Sequence, residues 1–273
     1  MSEHFRAFSF VDRILEDEVG RRIAGEYLTP AEIDSFPLSL VSEAIGQCAA
    51  MSSMKAVGFR FRPVAGIAGG VDFLGDVEPG DSLRLEATLV KSDEEAVGYD
   101  GVALVNGNPV VRLRDCLGPM VAMEDFDDPA AVGGRYDLLR SSGAEPGLFP
   151  GIPEFSYETT AQTAGESSEG LFQIPDAAPF FGDHFPRKPV FPGTLLMNLN
   201  LQFVADLAAT LPGDRLWKPT GMESVKLRAF MPPGENLTLR AEVEEIGEDK
   251  AVILVQSRRG KRLNSGARVL LSH

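Results

Sequence analysis

The chain of 273 residues contains one sequence pattern twice, and this internal repeat limits its fold more than any other feature. The segment PGDSLRLEA at residues 79–87 matches PGENLTLRA at residues 233–241, which is an offset of 154 residues. Upstream, the Phe-Pro pair at residues 36–37 matches the pair at residues 191–192, an offset of 155 residues. Two matches in the same order and at nearly the same offset indicate a duplication.

The limits of the two repeats follow from the composition of the segment between them. Residues 126–148 contain many acidic, Gly, Pro and Ser residues, which is typical of a connection along the surface. A short helical pattern is present only at residues 136–140. We therefore predict an N-terminal repeat at residues 1–125, a linker at residues 126–148 and a C-terminal repeat at residues 149–273.

Each repeat combines strand patterns with one long helical segment. Residues 83–89 alternate between apolar and polar, and this period of two predicts an antiparallel sheet with one buried face. Asn106–Gly107 between apolar stretches predicts a hairpin. Residues 38–54 and 194–209 follow a proline and are apolar on most sides, so each predicts a buried helix. The predicted fold class is α+β, with a small antiparallel sheet wrapped around one buried helix, formed twice.

Composition excludes several classes of protein. Lys and Arg number 26 against 40 Asp and Glu, so the net charge is −14, which argues against binding to nucleic acid. No apolar run approaches the length of about 20 residues that a membrane span needs. The N-terminus lacks the pattern of a signal peptide, and two cysteines are too few for a disulfide framework. We expect a cytoplasmic protein.

Histidine is rare enough to limit the choice of a catalytic base. The chain has three, and His4 and His273 lie near its ends, which leaves His184. Four prolines between residues 179 and 192 stiffen the segment around His184, and Gly193 follows at the predicted start of a helix. The free N–H groups and the positive dipole end of a helix can hold a developing oxyanion there.

Glu43 is the only acidic or basic residue between residues 36 and 54. A carboxylate inside an apolar helix is costly unless it is paired. From this pattern alone two interpretations stay open: Glu43 lies on a solvated stripe with Ser39, Ser42 and Gln47, or it transfers protons.

The segment His-Phe-Pro-x-x-Pro-x-x-Pro-Gly at residues 184–193 resembles the FabZ/FabA-type 3-hydroxyacyl-thioester dehydratases of the hotdog fold. Residues 11–14, Val-Asp-Arg-Ile, also look like the start of such an enzyme. The resemblance covers most of both repeats and implies a double hotdog. In this family two protomers share each site: one supplies the histidine and the glycine N–H, and the other supplies an acid fourteen residues after its own histidine.

The resemblance divides these roles unequally between the two repeats. Fourteen residues after His184 the chain has Asn198, so the second repeat lacks the acid. The position 155 residues earlier is Glu43. At the same offset, Thr29 and Leu38 replace the histidine and the oxyanion glycine in the first repeat. The resemblance therefore implies one complete site and one inert site.

The implied reaction is removal of water from a 3-hydroxyacyl thioester. His184 would remove the α-proton, the Gly193 N–H would hold the thioester oxygen, and Glu43 would deliver a proton to the departing hydroxyl. No metal or other cofactor of the protein is implied, because phosphopantetheine arrives with the substrate, on an acyl carrier protein or in coenzyme A.

The residues next to the motif are the expected substrate contacts. Phe185 and Phe191 are candidates for the wall of an acyl tunnel, while Arg187 and Lys188 are candidates for contact with an acidic carrier protein. Scattered surface cations are the alternative interpretation of the last two. Asp183 and Arg187 stand where the family often has glycine.

Two other functions remain open from the sequence. A hotdog thioesterase would use a carboxylate and a positioned water, and a non-catalytic acyl-carrier-binding protein would keep the fold without turnover. Double-hotdog chains of this family often assemble further, but the sequence does not define the oligomeric state.

Overall fold

The computed structural model describes residues 4–213 and 215–273. Within these residues the chain forms three α-helices, which are α1 (Leu38–Ala56), α2 (Pro129–Arg140) and α3 (Gly193–Ala208). The strands of the first half are β1 (Arg13–Glu18), β2 (Arg22–Leu28), β3 (Phe61–Pro63), β4 (Ile67–Phe73), β5 (Ser82–Ser92), β6 (Ala96–Val105) and β7 (Asn108–Ala122). The strands of the second half are β8 (Glu158–Thr163), β9 (Ser167–Gln173), β10 (Lys218–Leu227), β11 (Asn236–Ile246), β12 (Lys250–Arg259) and β13 (Arg262–Ser272).

The strands form one continuous antiparallel sheet made of two similar halves. Its order is β1-β2-β5-β6-β7-β4-β10-β13-β12-β11-β9-β8, with β3 paired to β7. Each half therefore has the same internal order, and the halves join where β4 pairs with β10, for example at Val71 opposite Met222. This arrangement confirms the predicted double hotdog. The residue limits assigned to the two repeats stay a prediction.

The two central helices agree with the sequence patterns to within two residues. α1 is two residues longer than predicted at its C-terminal end, and α3 begins one residue earlier, at Gly193. Each follows a proline, Pro37 or Pro192, whose extended backbone precedes the first turn. Both helices bury most of their surface, α1 packs against β5 and β6, and α1 also contacts α3. The helix–helix contact brings side chains of both halves together.

The predicted hairpin is present. Val105 pairs with Asn108, and Asn106 and Gly107 between them have φ values of 52° and 83°. This left-handed pair matches the twist of two antiparallel strands, as a type I′ turn requires. The prediction is confirmed.

The segment between the halves is more ordered than its composition indicated. The predicted helical patch at residues 136–140 is the end of the longer helix α2, which begins after Asp128. The Asp128 carboxylate accepts a hydrogen bond from the Ala130 N–H at 3.1 Å, which caps the helix. Val132, Tyr136 and Leu139 are buried, and the Tyr136 hydroxyl donates to Asp17 at 2.7 Å. Burial of this face stabilises a helix whose Gly133–Gly134 pair is locally unfavourable.

Cys48 and Cys116 are buried free thiols. In the described part of the chain, no helix combines the length and the apolar character needed to cross a bilayer.

Candidate active site

A cavity of about 760 Å³ lies between the two central helices and the middle of the sheet. Its floor includes one residue from each of the four central strands: Val71, Leu113, Met222 and Ala267. The strands are β4, β7, β10 and β13, so both halves of the chain form the cavity. His184, Glu43 and Gly193, the three residues that the family resemblance selected, all line it.

His184 is held in the loop between a 3₁₀ turn at Pro179–Gly182 and helix α3. Its backbone N–H donates to the Phe180 carbonyl at 2.8 Å. Its Nδ1 lies 3.1 Å from the Val190 carbonyl oxygen, which can only accept, so Nδ1 holds the proton of the neutral ring. The lone pair is then on Nε2, and this atom is the available base.

The ring environment favours the neutral form of His184. Burial lowers the pKa of this imidazole below its ordinary value of 6.5, and the nearby positive charge of Arg62 acts in the same direction. The Glu43 charge and the Val190 carbonyl oppose this shift. Because the negative charge of Glu43 acts on the ring, the acid from α1 and the histidine of the second half form one electrostatic unit.

Glu43 is fixed by hydrogen bonds from both halves. Its Oε2 accepts from the Thr194 hydroxyl at 2.7 Å, and its Oε1 accepts from the Gln47 amide at 3.0 Å. Thr194 is the second residue of α3, whereas Gln47 is one turn further along α1. Ser39 and Ser42 are buried, and Ser42, Glu43 and Gln47 line the same cavity.

Gly193 is the first residue of α3, and its N–H group therefore belongs to the first turn, where a helix has free donors. A Cβ atom built at this position would collide with Cδ1 of Leu227. The absence of a side chain keeps the helix start close to Leu227 at the end of β10, and Gly193 lines the cavity.

Two of the four expected substrate contacts line the cavity. Phe185 is buried, and the guanidinium of Arg62 lies 3.8 Å from its ring centroid. Phe191 is also buried and packs edge-on against Phe155 at 5.3 Å. Both rings belong to the wall, as expected.

Arg187 and Lys188 lie outside this wall. Neither is among the described residues that line the cavity, and both are exposed. Arg187 donates to the Glu124 carbonyl at 3.0 Å, and the Lys188 ammonium lies 4.8 Å from the Phe126 ring centroid. Their expected contact with a carrier protein stays a prediction.

A buried ion pair beside the site was not selected from the sequence. Arg62 donates to the Asp127 carboxylate at 3.0 Å, and His4 approaches the same carboxylate at 3.4 Å. Burial lowers the pKa of Arg62 to about 10, against the opposing charges of Asp127 and Glu43. Arg62 and Asp127 lie 122 and 57 residues before His184 in sequence, so no local pattern could have indicated their position.

The N-terminal segment at residues 4–10 covers one side of the cavity. Asp183, only 9% exposed, accepts hydrogen bonds from the N–H groups of Phe5, Ala7 and Phe8 at 2.5, 2.7 and 2.7 Å. The Phe8 ring meets His184 edge-on at 5.5 Å. The acid at position 183, a departure from the family pattern, therefore anchors this segment beside the catalytic candidate.

The residues of the expected inert set have other surroundings. The Thr29 hydroxyl donates to the carbonyls of Glu78 and Asp81 at 2.9 and 3.1 Å, which stabilises a turn. Thr29, Leu38 and Asn198 are not among the described residues that line the cavity.

Comparisons with known proteins agree on the fold. A tesB protein of Mycobacterium avium subspecies paratuberculosis superimposes with a TM-score of 0.60 at 12% identity, covering 94% of both chains. An acyl-ACP thioesterase of Bacteroides thetaiotaomicron gives a TM-score of 0.53 at 10% identity, covering 92% of this chain and 98% of that one. Identities this low establish the hotdog architecture alone.

The sequence comparisons, in contrast, match dehydratases. A family model described as ApeI-like, ApeI dehydratase, matches residues 160–266. The 3-hydroxyacyl-[acyl-carrier-protein] dehydratase FabZ of Syntrophobacter fumaroxidans is 30% identical over 110 residues, 39% of this chain and 73% of that protein. FabZ of Nitratidesulfovibrio vulgaris is 35% identical over 107 residues, 38% of this chain and 68% of that protein.

Fold and cavity together define a double-hotdog protein with a histidine from one half and a carboxylate from the other at a common cavity. The sequence relatives narrow this class further. The chain belongs to the family of FabZ-type 3-hydroxyacyl-[acyl-carrier-protein] dehydratases.

Proposed function

We propose that the protein removes water from a 3-hydroxyacyl thioester and releases a 2-enoyl thioester. The observation that supports this most is the shared cavity, in which His184 from the second half and Glu43 from the first half meet beside the start of α3. Neither half alone contains a histidine and an acid at these positions.

His184 acts as the base in this proposal. Nε2 takes the α-proton, and the electron pair of the broken C–H bond forms the new double bond as the bond from C3 to oxygen breaks. The Val190 carbonyl fixes the required tautomer through Nδ1. The lowered pKa of His184 keeps the ring unprotonated at neutral pH.

Glu43 acts as the acid. For the reaction Glu43 takes up one proton from solvent and transfers it to the departing hydroxyl, which leaves as water. A hydroxyl group both donates and accepts, so Thr194 can hold Glu43 before and after this transfer. The proton gained by His184 then returns to Glu43, directly or through water, and both groups are restored for the next cycle.

Gly193 stabilises the negative charge that develops on the thioester oxygen. Its N–H lies in the first turn of α3, where the helix dipole favours negative charge. A donor aimed at an oxyanion contributes about 3 kcal/mol to lowering a barrier of this kind.

The carrier of the substrate is proposed to be an acyl carrier protein. Lys226, Arg228 and Arg262 are exposed cations that line the cavity, and Arg259 beside them pairs with Glu235 at 2.7 Å. On a chain with a net charge of −14, this local cluster attracts an acidic partner or a phosphate to the cavity entrance. Arg187 and Lys188 are proposed to extend it.

The test is incubation with 3-hydroxyacyl chains of several lengths, on acyl carrier protein and on coenzyme A, followed by mass spectrometry. The proposal expects a product lighter by one water on the intact thioester. Release of free acid would instead identify a thioesterase. Binding of the acyl carrier without any change of mass would identify a non-catalytic protein.

A further inference from the structure

The cavity continues beyond the catalytic candidates along one face of α3. Gly193, Leu196, Met197 and Asn200 have the i, i+3, i+4, i+7 spacing of a single helical face, and all four line the cavity. An α-helix rises about 1.5 Å per residue, so Asn200 lies about 10 Å along the axis from Gly193. An acyl chain that has its thioester at Gly193 and follows this face of α3 would reach Asn200.

Asn200 is a polar side chain in an otherwise apolar wall. It is 4% exposed, and its Oδ1 has no hydrogen-bond partner within the described residues. Leu196, Met197 and Met222 line the same part of the cavity. A buried amide oxygen without a partner is destabilising, and because Asn200 lines the cavity, a ligand group that enters the cavity can supply a partner to this amide.

A second polar group lines the cavity from the sheet. Ser265 of β13 is 4% exposed, and its hydroxyl lies 2.6 Å from that of Ser257 on β12. Ser265 and Asn200 both belong to the second half and line the same cavity. The cavity lining of the second half therefore contains a second polar residue, whose hydroxyl already has a partner in Ser257.

Asn200 of α3 has no polar counterpart at the corresponding position of α1. At the offset of 155 residues, the residue of α1 that corresponds to Asn200 is Ile45, which is fully buried. The wall contributed by α1 beyond Gln47 consists of Ala50, Met51 and Met54. Beyond Gln47 the cavity lining from α1 is therefore apolar, whereas the lining from α3 includes the Asn200 amide.

We propose that Asn200 binds a hydroxyl group in the distal part of the acyl chain, so that the preferred substrates are hydroxyl-bearing chains rather than plain alkyl chains. A hydroxyl both donates and accepts, so it can bond either the oxygen or the nitrogen of the amide. This inference rests on the proposed dehydration. The hydroxyl concerned is separate from the one at C3, because C3 lies next to the thioester at Gly193.

The test compares pairs of 3-hydroxyacyl pantetheine thioesters of equal length, ending in a hydroxyl or in a methyl group. A series of lengths places the terminal group at different distances along the cavity. At the matching length, kcat/KM of the wild-type protein is expected to be about tenfold higher for the hydroxyl-ended member, the effect of one hydrogen bond to a buried group. Asn200→Leu is expected to abolish or reverse this preference.

Asn198→Leu is the matched control, because it makes the same change on the same helix at a residue outside the described cavity lining. It is expected to keep the preference. If Asn200→Leu does not fold, Asn200→Ala removes the amide without adding bulk. Equal kcat/KM for both members at every length, or a preference that survives removal of the amide, overturns the inference.

A binding measurement separates this inference from the proposed function. The same thioesters are titrated calorimetrically into wild-type protein and into His184→Ala, which cannot turn them over. Tighter binding of hydroxyl-ended chains without any dehydration by the wild type would contradict the proposed function and support the Asn200 site. Dehydration of both members without preference in rate or binding would do the opposite.

Discussion

Single side chains of the two halves complete each other at the site. His184 and Gly193 come from the second half, Glu43 comes from the first, and the Thr194–Glu43 hydrogen bond joins them across 151 positions of sequence. The equivalent positions on the opposite side contain Thr29, Leu38 and Asn198. Activity is therefore expected to depend on one acid and one base in the whole chain.

Substitution of either group tests this dependence. His184→Ala and Glu43→Gln are each expected to lower kcat at least a hundredfold, the usual effect of removing a general base or acid. Asn198→Asp, which places an acid in the opposite set, is expected to leave kcat unchanged, because no histidine accompanies it there. Steady-state dehydration assays measure all three. Near-normal turnover by a folded Glu43→Gln protein would contradict the shared site.

The pH dependence follows from the direction of the His184 shift. Because burial lowers the pKa of His184, the acidic limb of kcat/KM is expected to have its midpoint below 6.5. The Glu43 charge raises this pKa, so Glu43→Gln is expected to lower the pKa further. NMR titration of the three histidine signals measures both values, and His184→Ala identifies the relevant signal. An unchanged His184 titration midpoint in Glu43→Gln would show that the Glu43 charge does not act on the His184 ring.

The same shift affects stability with a definite sign. The unfolded chain binds a proton at His184 near pH 6.5, whereas the folded protein binds it only at lower pH. The contribution of this group to stability is therefore complete above 6.5 and decreases as the pH falls from 6.5 toward the folded-state pKa.

At the scale of elements, the N-terminal segment at residues 4–10 is held by one side chain. Three backbone N–H groups donate to the two oxygens of the Asp183 carboxylate. An amide at this position would have only one accepting oxygen, and its NH₂ group would face N–H donors that it cannot bind. Gln47 adds two contacts, to the Phe10 N–H and the Phe8 carbonyl.

Asp183→Asn is expected to lower the free energy of unfolding by about 1–3 kcal/mol, the cost of unsatisfied buried donors. Hydrogen exchange at residues 5–8 is expected to accelerate, and denaturant titration gives the stability change. Asp137→Asn, at an exposed position of α2, is the control and is expected to alter neither measurement. Unchanged exchange in Asp183→Asn would show that other contacts hold the segment.

The elements also show how much the sequence predicted. The repeat, both central helices and the hairpin followed from local period and turn residues, because these patterns describe which face of each element is buried. The full length of α2 did not, since Gly133–Gly134 disfavours a helix and burial of Val132 and Leu139 against the rest of the molecule compensates for this. The anchoring of Phe8 by Asp183 joins residues 175 positions apart, and no local pattern indicates such a contact.

At the scale of the whole molecule, negative charge predominates while cations collect at the cavity entrance. Salt screens two opposing forces on an acidic carrier protein: its repulsion by the net negative charge of this chain, and its attraction to Lys226, Arg228 and Arg262. These cations would lie nearer to a docked carrier protein than most of the negative charge does. Their attraction is therefore expected to affect KM more than the overall repulsion does.

Arg262→Glu is therefore expected to raise KM for an acyl-carrier-protein substrate several-fold at low salt, and less at high salt. The corresponding pantetheine thioester, which lacks the protein, is expected to show a smaller change. Arg268→Glu is the control, since Arg268 lies on the same strand but pairs with Glu244. Equal effects of the two variants on steady-state KM would show that the cations at the cavity entrance do not bind the carrier protein.

Both halves of the sheet belong to one polypeptide, and they are joined where β4 pairs with β10. In a homodimer, any mutation in the gene alters both protomers at once. Here a mutation in one half leaves the corresponding position of the other half unchanged, as the difference between Asn200 and Ile45 illustrates. The fused arrangement therefore allows selection, or an engineer, to change the cavity lining of one half without making the same change in the other half.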